Sequence, residues 1–412
     1  MALAGLSCSA TDGAAFAPPR TEGAFGRDNS LPCAGTFPKA SAMTPDWYRV
    51  QNVAEVPSPS LLVYPDRVAE NVRRMIAVAG GAARLRPHMK THKMPDLIRL
   101  QLGLGITKFK CATIAETEMT AGAGAPDALL AYQPVGPNVG RLLALAQKFP
   151  ATKFSAVADD ADAIRALGKA FGTAGRTLDL YLDVDMGMHR TGVAPGPKAV
   201  ELYRLITQTP GLRAAGLHCY DGHNHVTDLA ARTAQCEREW ATVEVLRAEL
   251  RVAGLPVPNV VAGGTPTFPV HAKRADVECS PGTCVLWDFG YGTMLPDLDF
   301  LPAAILLTRV ISKPGENRLC LDLGHKAVAA ENPHPRVKFL NLIGAEAVMQ
   351  SEEHLVVETV RAGEFNVGDA LYGIPRHICP TVALHSFVTT VNGAGQAGAR
   401  WKVTARERQL TV

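Results

Sequence analysis

Residues 153–184, KFSAVADDADAIRALGKAFGTAGRTLDLYLDV, hold one complete unit of strand, helix and strand. An apolar run at 153–157 is followed by a helical pattern at 160–171 and a second apolar run at 178–184. A strand that returns to the same sheet through a helix lies parallel to its predecessor. Working outward, further apolar runs occur at 83–89, 108–112, 128–132, 214–220, 259–262 and 276–279, with helical patterns at 138–149 and 228–253 among them. About eight alternating strands in roughly 200 residues predict an α/β fold closed into a (β/α)8 barrel of the TIM type. Alternation alone leaves an open doubly wound sheet as the other solution. Polar residues collect where these strands end: His88 and Lys90, Gln133, 183–190, 218–225, 263–267 and 280–283. In a barrel those ends share one rim, where active sites are built.

The texture changes on both sides of this region. SLLVY at 60–64 reads as a strand. Pro65 and Asp66 open a helix with Val68, Val72, Met75, Ile76 and Ala79 on one face, and Gly80-Gly81 ends it. From Trp287 onward strands follow without evident helices, at 304–312, 318–324, 345–349, 354–360, 370–375, 386–392 and 400–407. That pattern predicts a second, mostly β domain, a small barrel or a sandwich. The division expected is therefore an N-terminal extension at 1–44, a barrel with its preceding strand and helix at 45–286, and a β domain at 287–412. The extension is rich in Ala, Gly, Ser, Thr and Pro, which predicts disorder, and Met43 offers a second start.

Charge narrows the partners. The 42 basic and 39 acidic residues give a net charge of +3, and no basic stripe with interleaved aromatics occurs, so nucleic acid is not the expected partner. A small molecule fits better. No uninterrupted apolar run of about 18 residues is present, so no membrane span is expected. The opening MALAGLSCSA lacks the positive segment of a secretory signal. Nine cysteines without CxxC spacing point to a reducing compartment and hence to the cytoplasm.

Three motifs can carry chemistry. Arg86-Pro87-His88-Met89-Lys90-Thr91-His92-Lys93 packs cations and two imidazoles together. Like-charge repulsion there keeps a lysine partly neutral, nucleophilic and able to form a Schiff base, unless the segment is only a solvated basic loop. Gly263-Gly264-Thr265, in VAGGTPT, can bring backbone N–H groups and a hydroxyl to a phosphate, or can be a plain tight turn. His377-Ile378-Cys379, read as an extended strand, places an imidazole and a thiolate on one face, where both reach an ion such as Zn²⁺; the other reading is a half-buried cysteine beside an incidental histidine. Asp183–Gly192 and His218–His225 add Arg190, which can hold an anionic oxygen, and Tyr220, which can donate to a ring nitrogen or phosphate. His218 and His223 read as orienting residues. The remaining cysteines read as buried.

RPHMKTHK, DVDMGMHRTG, HCYDGH, AGGTPT, CSPGT and HICPT, in this order, resemble the D-threonine aldolase and D-serine dehydratase family, with an alanine-racemase-like barrel of the fold type III pyridoxal phosphate enzymes. The likeness runs from Trp47 to Glu407. The resemblance implies pyridoxal 5′-phosphate on Lys90, Arg190 at its phenolic oxygen, Tyr220 near the pyridine nitrogen, and Gly263, Gly264 and Thr265 around the phosphate. It implies a divalent metal, Zn²⁺ or Mn²⁺, on His377 and Cys379, and a homodimer with the site at its interface. The expected activity is metal-assisted cleavage of D-β-hydroxy amino acids to glycine and an aldehyde. The alternative is a D-serine-type dehydratase yielding an oxo acid and ammonia. A non-catalytic pyridoxal phosphate carrier would need no metal pair, and a cofactor-free zinc hydrolase would need a third protein ligand.

Overall fold

The structure, a computed structural model, describes residues 46–412. The expected extension at 1–44, with Met43, lies outside the described residues. Strand β1 (Ser60–Val63) leads into helix α1 (Pro65–Ala79), which starts on its proline and ends at Gly80 in the left-handed region, φ 75°. Val68, Val72, Met75 and Ala79 are the buried face of that helix, as the helical spacing predicts.

Seven strands then form one parallel sheet in sequence order: β2 (Lys108–Cys111), β3 (Asp127–Leu130), β4 (Lys153–Ala158), β5 (Leu178–Asp185), β6 (Leu212–Tyr220), β7 (Val260–Ala262) and β8 (Val277–Cys279). The segment 85–88 is the eighth stave and closes the ring. Leu85 pairs in parallel with Cys279, and His88 with Lys110. The Arg86 and His88 N–H groups donate to the carbonyls of Cys279 and Pro281, and Lys110 N donates to Pro87 O, each at 2.8–2.9 Å. Pro87 has no N–H to offer, so this stave holds its neighbours by bridges rather than a full ladder. Closure decides between the barrel and the open sheet. Helices α2 (Pro95–Gly103), α3 (Ile114–Gly122), α4 (Pro137–Lys148), α5 (Ala161–Thr173), α6 (Pro197–Gln208), α7 (Leu229–Val252) and α8 (Phe268–His271) follow the staves. None among the described residues is long and apolar enough to cross a membrane.

The second half carries α9 (Phe289–Met294), β9 (Ala304–Gly315), β10 (Arg318–Leu321), β11 (Val337–Phe339), β12 (Glu346–Gln350), β13 (Leu355–Glu358), β14 (Ala370–Pro375), α10 (Ile378–Leu384), β15 (Phe387–Val391) and β16 (Ala397–Lys402). The sheet order is β12, β13, β10, β9, β1, β15, β16, with β14 joining β9 to β11. Two expectations need correction. Strand β1, read as the barrel's forerunner, lies inside this sheet, antiparallel to β9 and parallel to β15. The β region also contains helices, and α10 begins inside the His377-Ile378-Cys379 motif. Barrel and sheet share one core, in which Phe109 and Leu97 belong to the same cluster as Leu306, Leu321 and Val382.

Candidate active site

Lys90 sits in a 3₁₀ turn, Met89–Thr91, directly after the closing stave. Its backbone N–H donates to His88 Nδ1 at 3.3 Å. That imidazole is neutral, because burial and the Lys90 and Lys110 charges push its pKa well below the usual value. The motif is not the single basic patch its composition suggests. Arg86 turns to other partners, Asp127 at 2.5 Å and Glu278 at 2.7 Å, and Lys93 pairs with Glu116. Arg86 is on the stave while Lys90 and Lys93 lie in and after the turn that follows it, so each cation finds its own surroundings.

The positive neighbour of Lys90 comes instead from β2. Lys110 is buried, and burial together with the Lys90 charge brings its pKa down to about 7. Both amines, with Arg190, surround one ring: the Tyr220 centroid lies 5.8 Å from Lys90 Nζ, 5.3 Å from Lys110 Nζ and 4.9 Å from Arg190 Cζ. The Arg190 loop is shaped by Asp185, whose carboxylate accepts from the N–H groups of Gly187 and His189 at 2.9 and 3.0 Å. His218 meets Asp183 at 2.7 Å and His223 meets Glu239 at 2.9 Å, while His218 Nε2 and His223 Nδ1 are buried without a partner.

The glycine turn closes the same space. Gly263 has φ 79°, and a Cβ there would come within 2.7 Å of the His271 ring; a Cβ on Gly264 would press on Tyr220 at 3.1 Å. Thr265 Oγ1 accepts the N–H groups of Gly282 and Thr283 at 3.2 and 3.1 Å, tying this turn to 280–283. Behind it, Asp221 takes the Thr267 hydroxyl at 2.7 Å and His271 Nε2 at 2.8 Å. Cys236 Sγ stands 3.5 Å from that nitrogen. Asp221, Cys236 and His271 are close enough to bind a cation. Burial drives the Cys236 thiol's pKa far up, and the Asp221 to His271 bond already satisfies the other two.

His377 and Cys379 come to the same region from the C-terminal half of the chain. His377 is the extended residue before α10 and Cys379 is in its first turn, so the motif is a strand-to-helix corner rather than a strand. Asp288 creates the corner by accepting the Ile378 N–H at 3.0 Å and the Tyr291 N–H at 2.9 Å. Cys379 Sγ is 3.3 Å from Thr91 Oγ1 and 3.5 Å from Thr283 Oγ1. His377 Nδ1 meets Glu331 Oε1 at 2.6 Å. Against burial, the hydrogen bond and charge of Cys379 raise His377 to about 9, and the imidazolium lowers the Cys379 thiol, also against burial. Each of the two thus favours the charged form of the other. Lys110, Glu331, Asp288 and Tyr291 are residues here that the motifs did not indicate. Burial raises the Tyr291 pKa, with Cys379 and Tyr220 the next causes.

The profile of the alanine racemase N-terminal domain matches residues 63–287, and that of the serine dehydratase domain matches 303–391. The chain is 30% identical over 361 residues to a D-threonine aldolase of an Arthrobacter species, covering 86% of this chain and 94% of that protein. The chain belongs to the D-threonine aldolase and D-serine dehydratase family. It is also 27% identical to the D-threo-3-hydroxyaspartate dehydratase of a Delftia species, over 79% of this chain and 92% of that one. The crystal structure of D-threonine aldolase from Filomicrobium marinum superposes with a TM-score of 0.81 at 30% identity, covering 89% of this chain and 99% of that one.

This family of fold type III enzymes implies pyridoxal phosphate, and the residues present fit it. Two amines and a guanidinium converge on one aromatic ring, and the turn beside that ring has no room for a side chain at Gly263. A divalent ion also fits His377 and Cys379. Glu331 holds Nδ1, and the hydrogen bond between His377 and Cys379 brings the imidazole and the sulfur to one point, where an ion would take the place of the shared proton.

Proposed function

We propose that the chain is a pyridoxal-phosphate- and metal-dependent lyase of D-β-hydroxy amino acids, splitting Cα–Cβ to give glycine and an aldehyde. The observation that carries this reading is the contact of Cys379 Sγ with Thr91 Oγ1, which sets the metal pair beside the residue following Lys90. A substrate amine exchanged at Lys90 would thus leave its β-substituent within reach of that pair. The cofactor would supply an electron sink for negative charge at Cα. An ion on His377 and Cys379 would act as a Lewis acid on the β-hydroxyl, and one imidazole with one thiolate suits Zn²⁺ better than Mn²⁺.

In this reading Lys90 holds the cofactor and, once released, moves a proton at Cα through Nζ. Arg190 and Tyr220 orient the ring, and Gly263, Gly264 and Thr265 receive the phosphate. Glu331 fixes the His377 tautomer and Asp288 fixes the corner that aims both ligands. The region 45–286 would bind the cofactor and the segment at 287–412 the ion, in a homodimer as the family resemblance implies and in the cytoplasm as the unpaired cysteines suggest.

Dehydration is the second reading, favoured by the sulfur ligand and by the serine dehydratase match over 303–391. There Lys90 takes the α-proton and the hydroxyl departs. Incubation with D-threonine separates the two. Glycine and acetaldehyde in equal amounts support the aldolase, and 2-oxobutanoate with ammonia and no glycine supports the dehydratase. No turnover of any D-β-hydroxy amino acid would refute both.

A further inference from the structure

Lys110 is the third residue of β2, flanked by Phe109 and Cys111, which point outward into the core around the barrel. Its side chain is 1% exposed and points inward. Among the described residues no hydrogen bond or ion pair reaches its ammonium. The nearby carboxylates are engaged elsewhere: Asp183 with His218, and Asp221 with His271 and Thr267. The other groups around it are His88 and His218, both neutral through burial, the cations Lys90 and Arg190, and the ring of Tyr220. A buried amine without a partner is costly, and a protein retains one where a ligand completes it.

The position of the amine indicates which ligand. Lys110 Nζ lies 5.3 Å from the centroid of Tyr220, the ring that the proposed function sets against the cofactor, whereas the recorded contacts of Cys379 are with Thr91, Thr283 and His377. Its neighbour is therefore the ring partner and not the proposed anchor of the β-substituent. The geometry points to Lys110 as a second cofactor-facing amine, the cation that balances the anionic ring oxygen and sets the proton affinity of the imine at Lys90. This inference rests on the reading that Lys90 carries pyridoxal phosphate.

Nζ of Lys110 and of Lys90 both lie within 6 Å of the Tyr220 centroid, so they are at most about 11 Å apart. At that range a charged amine lowers the imine's proton affinity by about one pH unit, and the anionic ring oxygen and phosphate of the cofactor would hold Lys110 charged where the unliganded surroundings bring it down to about 7. The test is a pH titration of the imine absorbance in the full-length holoprotein. Lys110→Met should move the midpoint up by about one unit, because the destabilising cation is gone, and Lys110→Arg should keep it near the wild-type value. The dissociation constant for pyridoxal phosphate should rise about tenfold in Lys110→Met only. An unchanged midpoint in Lys110→Met overturns the inference.

Should Lys110→Met fail to fold, Lys110→Gln decides, and its imine midpoint should rise as expected for the methionine variant. An unchanged midpoint in a folded Lys110→Gln overturns the inference. A wild-type protein with no imine absorbance and no borohydride-trapped adduct on Lys90 would instead refute the cofactor reading on which it rests.

Discussion

Gly263→Ala tests the phosphate cradle without touching any group proposed to do chemistry. At φ 79° an alanine carries a left-handed penalty of about 1–2 kcal/mol relative to glycine. Its Cβ would also stand 2.7 Å from His271 Cδ2. That ring has nowhere to go: it is fully buried, bonded to Asp221 at 2.8 Å and met edge-on by Trp240 at 5.2 Å. Overpacking of this kind costs about 1–3 kcal/mol. Together the two effects come to about 3 kcal/mol, and the turn relieves them by swinging away from the ring, towards the cofactor. If the turn receives the phosphate, the dissociation constant for pyridoxal phosphate rises about a hundredfold. Gly264→Ala is the control. Its Cβ would meet only the edge of the half-buried Tyr220 at 3.1 Å, on a backbone outside the left-handed region, so the loss should be about tenfold. Cofactor affinity is read by absorbance titration and stability by thermal melting. Gly263→Ala with wild-type cofactor affinity and a wild-type melting temperature would refute the reasoning.

Lys90→Ala should abolish the borohydride-trapped adduct and Lys93→Ala should not, because Lys93 is paired with Glu116; peptide mapping decides. Exhaustive chelation, checked by elemental analysis, should stop turnover while most of the imine absorbance remains, and His377→Ala or Cys379→Ala should behave alike. Glu331→Gln should weaken metal affinity about tenfold or more, measured by competition with a chromogenic chelator. Burial would raise the Glu278 carboxyl, but Arg86 and Lys108 hold it below its usual value. Its stabilisation is therefore complete above the unfolded carboxyl pKa and is lost as pH falls through the lower folded one. Glu278→Gln should flatten the acid limb of a pH-dependent melting curve.

The barrel was readable because its signal is local and repeated: each stave from 83–89 to 276–279 is an apolar run, with helical patterns at 138–149, 160–171 and 228–253 among them. The partner of β1 was not readable. SLLV is buried along its length in either sheet, and nothing in four residues says which edge it will join. The His377 to Cys379 spacing survives, but its backbone was misjudged, because the residue that starts α10 is Asp288, about ninety positions earlier. Glu331 is far from His377 in sequence, in a loop without periodicity. Lys110 was passed over for a different reason. In KFKC a lysine between apolar residues reads as the solvent face of a strand, and only barrel closure turns that face inward.

The two readings of the proposed function share one arrangement. Lys90 and Lys110 meet the Tyr220 ring, while Cys379 contacts Thr91 and Thr283, so a substrate attached at Lys90 would have its ring partner and its β-substituent held by different elements. The bond that breaks is the one held perpendicular to the cofactor's ring, and which bond that is depends on how the β-hydroxyl is anchored relative to the ring. The ring side is fixed by the barrel. The anchor is fixed by a corner that depends on the Asp288 carboxylate, which burial raises to about 6 even as the Ile378 and Tyr291 N–H groups pull it down. A shift of that corner would rotate the substrate about Cα without altering either set of ligands. In the proposed reading, the choice between retro-aldol cleavage and dehydration would rest less on the identity of His377 and Cys379 than on the angle at which α10 leaves its strand.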